Sequence, residues 1–423
     1  MISGFRLTRR GALAGLGATC ANGFAIPVVA ALADGAGPSF ASTGPNAEFY
    51  GAAAGYPVPD VVRARRQGNP WAPGDRVGAF THIDEIYPTR QVKRGAMPWT
   101  FKRALELPDP LRTEVTGYLA RNPVTGLLIA RDDQILFEHY QYGRTDRDRF
   151  VSQSMVKSLI GLLMGIAIAE GAIKSVDDTA ETYVSGLQGS EYGRTSIRDL
   201  LHMSSVVDFG EERDNGRDLN QLWKDMVTGS WMGRKGTVNS IIQFNRRIAP
   251  PGTRFHYASI EPDVLGLVLR AATGKSLSDY LQEKIWQPIG TEADARWLVD
   301  AEGFELAHFG FNAVLRDYAR LGRLMAHDGA WDGQQIIPAQ WMVDATTVRA
   351  SDGYLAPGKA GRDFGYGYLL WLLPWGQRQF AMFGDFGQRV CIDPASKLVM
   401  VHTALDRTPE IWKLWSAAVK QLG

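Results

Sequence analysis

Apolar positions along the chain follow two periods, and the elements follow from where each applies. In residues 159–173, Leu159, Ile160, Leu162, Leu163, Met164, Ile166 and Ile168 leave no polar face, which predicts a helix buried in the domain centre. Just before it, 127–130 and 135–137 are short apolar runs around Asp132-Asp133, the pattern of a hairpin. Further on, 195–202 predicts a short helix, 261–272 a helix stopped by Gly274, and 312–327 a helix with Leu315, Ala319, Gly322 and Met325 on one face. Strand-like runs then follow at 366–373, 379–383, 389–392 and 398–402. A last helix is expected from Thr408, with Pro409 in its first turn and Ile411, Leu414, Trp415, Ala418 and Leu422 on its buried face. The order hairpin, helical middle, strands, terminal helix implies an α+β sandwich. One antiparallel sheet is assembled from both chain ends, with helices on its faces and a helical subdomain inserted.

The N-terminal third breaks these periods. Residues 1–33 read as an export signal: Arg6 and Thr8-Arg9-Arg10 precede a small, mildly apolar stretch ending in Ala31-Leu32-Ala33. The paired arginines are similar to a twin-arginine signal, which implies export of a folded protein to a bacterial periplasm, with no membrane span left after its removal. The other reading is a basic N-terminus on a cytoplasmic protein. Residues 34–107 read as a linker and an irregular N-terminal layer, and 108–423 as the main domain.

Composition narrows the chemistry. A chain of 423 residues with 45% hydrophobic content can bury a large core. Its 46 basic residues against 45 acidic ones give no basic excess to hold nucleic acid, so a small molecule is the expected partner. Of its two cysteines, Cys20 falls in the leader and Cys391 in a strand-like run, so no internal disulfide is expected. Seven histidines are scattered without ligand spacing, and no metal or organic cofactor is expected.

The buried helix begins at its own candidate nucleophile. With Ser154 in the first turn, Lys157 at i+3 projects from the same face, placing an amine beside a hydroxyl. The helix start adds unpaired backbone N–H groups and the positive end of the macrodipole, which favour an oxyanion. Burial lowers a lysine pKa and makes a proton-accepting amine available. Tyr257, in Tyr257-Ala258-Ser259, reads either as a proton relay whose phenol ionises more easily beside an ammonium, or as a half-buried tyrosine with a satisfied hydroxyl. Gly384, in Phe383-Gly384-Asp385, lets a substrate approach the backbone or simply makes a tight turn. Trp223 and Trp231 lie in a polar, glycine-rich stretch that reads as a site cover or as ordinary surface. No Gly-x-Ser-x-Gly elbow and no His-Glu-x-x-His occurs.

These pieces, in this order, resemble the serine β-lactamase and penicillin-binding-protein superfamily in its class C-like branch. The resemblance extends to Ile197-Arg198-Asp199-Leu200-Leu201-His202-Met203-Ser204-Ser205, Pro262-Asp263-Val264-Leu265-Gly266 and Leu315-Arg316-Asp317-Tyr318-Ala319-Arg320-Leu321-Gly322. With Ile86-Tyr87-Pro88-Thr89-Arg90 and the Tyr-x-Ser form, the chain looks most like the 6-aminohexanoate-oligomer hydrolases and related esterases. The resemblance implies Ser154 as acylated nucleophile, Lys157 as its base, and Tyr257 as the group passing a proton to the leaving alcohol or amine. It implies an oxyanion hole from the backbone N–H groups of Ser154 and Asp385, and Ser259 and Asn312 as pocket polar groups.

In two places the chain departs from the family pattern. Ser259 stands where asparagine often ends the second motif, and Met382-Phe383 precede Gly384 where a Lys or His usually stands. That basic group binds the carboxylate of β-lactams and cell-wall peptides; Arg389 is the residue here that could replace it in space. The expected function is therefore cofactor-free hydrolysis of a small ester or amide through an acyl-enzyme. The alternatives are a β-lactamase or D,D-peptidase, and a penicillin-binding-like sensor that acylates and stalls.

Overall fold

The computed structural model describes residues 37–54, 71–104, 107–211, 216–228 and 235–423. The export signal assigned to 1–33 lies outside the described residues, which all belong to the compact unit Asp34–Gly423. Among the described residues six helices of eleven residues or more frame it: α1 Arg76–Ile86, α2 Asp109–Arg121, α3 Val156–Ala169, α4 Ile260–Thr273, α5 Leu315–Ala326 and α6 Ile411–Leu422. Among the described residues no helix is long and apolar enough to cross a membrane.

The main sheet has nine strands: β1 Ser39–Phe40, β2 Lys102–Arg103, β3 Val124–Arg131, β4 Gln134–Tyr140, β5 Gly365–Tyr366, β6 Trp371–Leu372, β7 Phe380–Phe383, β8 Arg389–Asp393 and β9 Leu398–Ala404. Their order is β1-β4-β3-β9-β8-β7-β6-β5, with β2 beside β4. The two chain ends meet where β3 pairs antiparallel with β9. Strand alternation then sorts side chains between two cores. Leu128, Ala130, Val390, Ile392, Val399 and Val401 face the core that holds α3, α4 and α5. Leu127, Ile129, Cys391 and Met400 face the opposite layer, closed by α2 and α6 through Leu111, Val115, Ile411, Leu414, Trp415 and Ala418. A smaller antiparallel sheet, in the order Thr89–Val92, Ala295–Leu298, Phe311–Ala313, Phe150–Val151, carries the chain into α3.

Four expectations need correction. The N-terminal layer is not irregular: it supplies α1, the edge strands β1 and β2 that run parallel to β4, and Thr89–Val92 of the second sheet. The run 366–373 is two short strands around a tight turn, Gly367 N–H to Leu370 O at 2.8 Å with Leu369 at φ +56°. No polar residue marks that turn because it is buried; Ser158 Oγ donates to Leu369 O at 2.7 Å and Leu369 N–H to Leu201 O at 3.0 Å. Asn312 belongs to a strand, and the helix starts at Leu315. The last helix starts at Ile411, since residues 408–410 form a turn closed by Ile411 N–H on Thr408 O at 3.0 Å.

Almost every side chain of α3 is buried, and its two glycines permit the close packing. A Cβ on Gly165 would overlap the Trp341 ring, and one on Gly161 would lie 2.7 Å from the Tyr368 carbonyl oxygen. Gly165→Val is therefore expected to destabilise the domain by about 1–3 kcal/mol in denaturant unfolding. Gly353→Ala, where nothing lies within 4 Å of the added atom, should leave the midpoint nearly unchanged.

Candidate active site

Val151 ends its strand, Ser152 N–H bonds Phe311 O at 2.7 Å, and a single 3-10 turn, Gln153–Met155, leads directly into α3. Gln153 takes φ +48°, a left-handed conformation uncommon for a side chain of its size. Ser154 is thereby presented half-buried in the first turn, where backbone N–H groups lack helical acceptors. Lys157 is 2% exposed; its Nζ lies 2.7 Å from Ser154 Oγ and donates to His308 O at 3.0 Å. Burial pulls its pKa down to about 8, while the charges of Glu211, Asp263 and Asp385 act in the opposite direction.

Tyr257 completes the trio, with its hydroxyl influenced by Ser154. Trp371 stacks on its ring at 5.8 Å between centroids, and the Lys157 amine lies 5.2 Å from the ring centroid. The expectation that this phenol ionises easily is wrong. Its pKa is raised far above 10, chiefly by burial and then by the Glu211 carboxylate. The amine faces the ring and burial penalises a phenolate, so Tyr257 is a neutral hydroxyl able to accept and donate together.

Gly384 packs where a Cβ would strike Ser152 O and lie 2.9 Å from Gln153 Cβ. This brings the Asp385 amide next to the turn that carries Ser154, with Phe386 following at φ +54°. Arg389 does not replace the missing basic group. Its Nη1 donates to Gly384 O and, at 2.7 Å, to Gln388 O, and its guanidinium lies 4.4 Å from the Phe383 ring centroid, so it clamps the turn.

The weaker assignments divide. Ser259 is 2% exposed and does not line a pocket; its N–H and Oγ donate to Glu211 Oε2 and Oε1 at 2.5 and 2.6 Å. Asn312, 1% exposed, spends its amide on Gly310 O at 2.8 Å and Arg296 O at 3.3 Å, which locks the small sheet. Trp223 is half-buried, edge-on to Phe309 at 5.2 Å and Tyr87 at 5.5 Å, and Trp231 lies outside the described residues.

Two supporting groups escaped the sequence reading. Glu211 sits in a stretch with no period to single it out. Asp263, noted only as part of a motif, holds His308 Nδ1 at 2.7 Å and accepts from Ala307 N–H at 2.9 Å, fixing the carbonyl that receives Lys157. Among the described residues, no group of three or more His, Cys, Asp or Glu is arranged to hold a metal ion.

A serine hydroxyl held by a buried lysine three residues on, with a tyrosine beside it at the start of a sandwich helix, is the arrangement of a class, the Ser-x-x-Lys serine hydrolases. The chain belongs to the beta-lactamase family, whose model matches residues 111–411. It is 28% identical to a 6-aminohexanoate-dimer hydrolase of Paenarthrobacter ureafaciens, over 85% of this chain and 91% of that protein. A putative 6-aminohexanoate-dimer hydrolase from Bacillus anthracis superposes with a TM-score of 0.73 at 24% identity, covering 84% of this chain and 95% of the other. A family VIII carboxylesterase superposes with a TM-score of 0.57 at 16% identity, covering 74% and 96%.

Only a neutral amine accepts the Ser154 proton, so activity should rise with pH to a plateau with a midpoint near pH 8. The Glu211 carboxylate stabilises the ammonium form. Glu211→Gln is therefore expected to move the midpoint of the kcat/KM profile to lower pH, and an unmoved or raised midpoint would contradict this electrostatic account.

Proposed function

We propose that this protein hydrolyses small esters and amides through an acyl group carried on Ser154. The observation that carries the reading is the 2.7 Å contact between the buried Lys157 amine and Ser154 Oγ. Lys157 takes the serine proton as Oγ bonds to the substrate carbonyl carbon. The amides of Ser154 and Asp385 hold the oxyanion, and loss of one such donor typically costs about 10²–10³ in rate. As the carbonyl reforms, the bond to the leaving alcohol or amine breaks and Tyr257 hands it a proton, replaced through Lys157. Water then attacks the acyl carbon, gives its proton to the same base, and releases the carboxylic acid and Ser154.

Similarity to hydrolases of 6-aminohexanoate dimer makes that linear amide the first amide to test beside simple esters. The clamping of Arg389 on Gly384 and Gln388 removes the obvious partner for a β-lactam carboxylate and favours this reading over an antibiotic-directed one. In initial-rate assays with p-nitrophenyl acetate and with the dimer, Ser154→Ala should lose at least about 10³-fold in kcat. Wild-type turnover in that variant would overturn the assignment.

A further inference from the structure

An arc of aromatic rings runs between the chain neighbours of His308 and Asp385, part of it built from chain outside the segment 111–411 that the family model matches. Trp71 meets Phe80 and Phe309 edge-on, each at 5.4 Å between centroids. Trp223 meets Phe309 from its own side at 5.2 Å, and Phe80 meets Phe386 at 5.2 Å. The arc is anchored at both ends to the reacting groups. Phe309 directly follows His308, whose carbonyl receives the Lys157 amine, and Phe386 directly follows Asp385.

Arg76 ties the arc together. Its Nε donates to Trp71 O at 2.8 Å and its Nη1 to Leu405 O at 2.8 Å, while its guanidinium lies 4.5 Å from the Phe386 ring centroid. Phe80 and Phe309 are buried, at 2% and 8% exposure, as the backing of the arc. Trp71, Trp223 and Phe386 keep part of their surface open. The cations near this surface are already engaged: Arg407 pairs with Asp385 at 3.3 Å, Arg76 pairs with Asp406 at 3.3 Å and donates to backbone carbonyls, and Arg389 is turned to backbone carbonyls and a ring face, while Glu211 and Asp385 are carboxylates that act on Lys157.

We infer that Trp71, Trp223 and Phe386 form the acyl-group subsite, and that it selects acyl groups free of negative charge that bear an aromatic ring or an aliphatic chain. Edge-to-face contact with a phenyl ring suits such an arc, and carboxylated acyl groups meet apolar rings flanked by negative charge. This rests on the serine-hydrolase reading, and the test separates the two.

The probes are p-nitrophenyl acetate, p-nitrophenyl phenylacetate and the mono-p-nitrophenyl ester of succinate. The wild-type kcat/KM should be about tenfold or more higher for phenylacetate than for acetate, and lower for succinate than for acetate. In Trp71→Ala and in Phe386→Ala the phenylacetate-to-acetate ratio should fall by about tenfold, with partial recovery in Trp71→Phe. Trp375→Ala, at an exposed tryptophan against Trp412, serves as control and should keep the wild-type ratio. A ratio unchanged in Trp71→Ala and Phe386→Ala, or a wild-type preference for succinate, overturns the subsite while leaving the hydrolase reading intact. Turnover in Ser154→Ala overturns both.

Discussion

The Lys157 amine lies 2.7 Å from Ser154 Oγ and 3.0 Å from the His308 carbonyl oxygen, almost entirely out of contact with water. Moving a lysine from its ordinary value of 10.5 to about 8 disfavours its charged form by roughly 3 kcal/mol. The fold therefore has to hold the amine in place and limit the negative charge around it. Asp263 does the first through the His308 backbone, and Glu211, with Asp263 and Asp385, opposes the fall of the pKa. Tyr257 is half-buried and its phenol is held neutral by desolvation, so Ser154 is flanked by a weak base and a neutral hydroxyl.

The larger architecture serves that arrangement. Helix α3 is apolar on all sides because it lies in the core between the sheet and the helical layer, and a helix so placed gives its first turn little freedom to shift. The left-handed Gln153 tips Ser154 out of that core, Gly384 closes on the turn from β7, and Arg389 fastens the far side of the same loop. Two separate parts of the chain, the turn before α3 and the loop after β7, thus meet at one hydroxyl.

Much of this is legible from residue order. The apolar run after Lys157, the hairpin at Asp132-Asp133 and the buried face of the last helix each follow from periodicity, because each depends on local sequence and one packing partner. The sandwich itself follows from strands at both ends of the chain enclosing helices. Several features are legible only in three dimensions. The turn at 367–370 looks like continuous strand because its polar groups are satisfied by Ser158 and Leu201, far away in sequence. Ser259 reads as a pocket group until Glu211 is seen to take both its donors. Tyr257 beside an ammonium suggests a lowered pKa, but the amine sits over the ring face and burial dominates. The N-terminal layer has no long period because its strands are two to four residues long and its helix bends at His82.

The measurement that bears most directly on this account is acid-quench trapping of the enzyme during turnover of p-nitrophenyl acetate, followed by peptide mass mapping. An acetyl group on the peptide containing Ser154, absent when Lys157 is replaced by alanine, is the expected result. Product formation with no acetylated peptide, or with acetyl carried on another residue, would contradict the claim that Ser154 and Lys157 form the reacting pair.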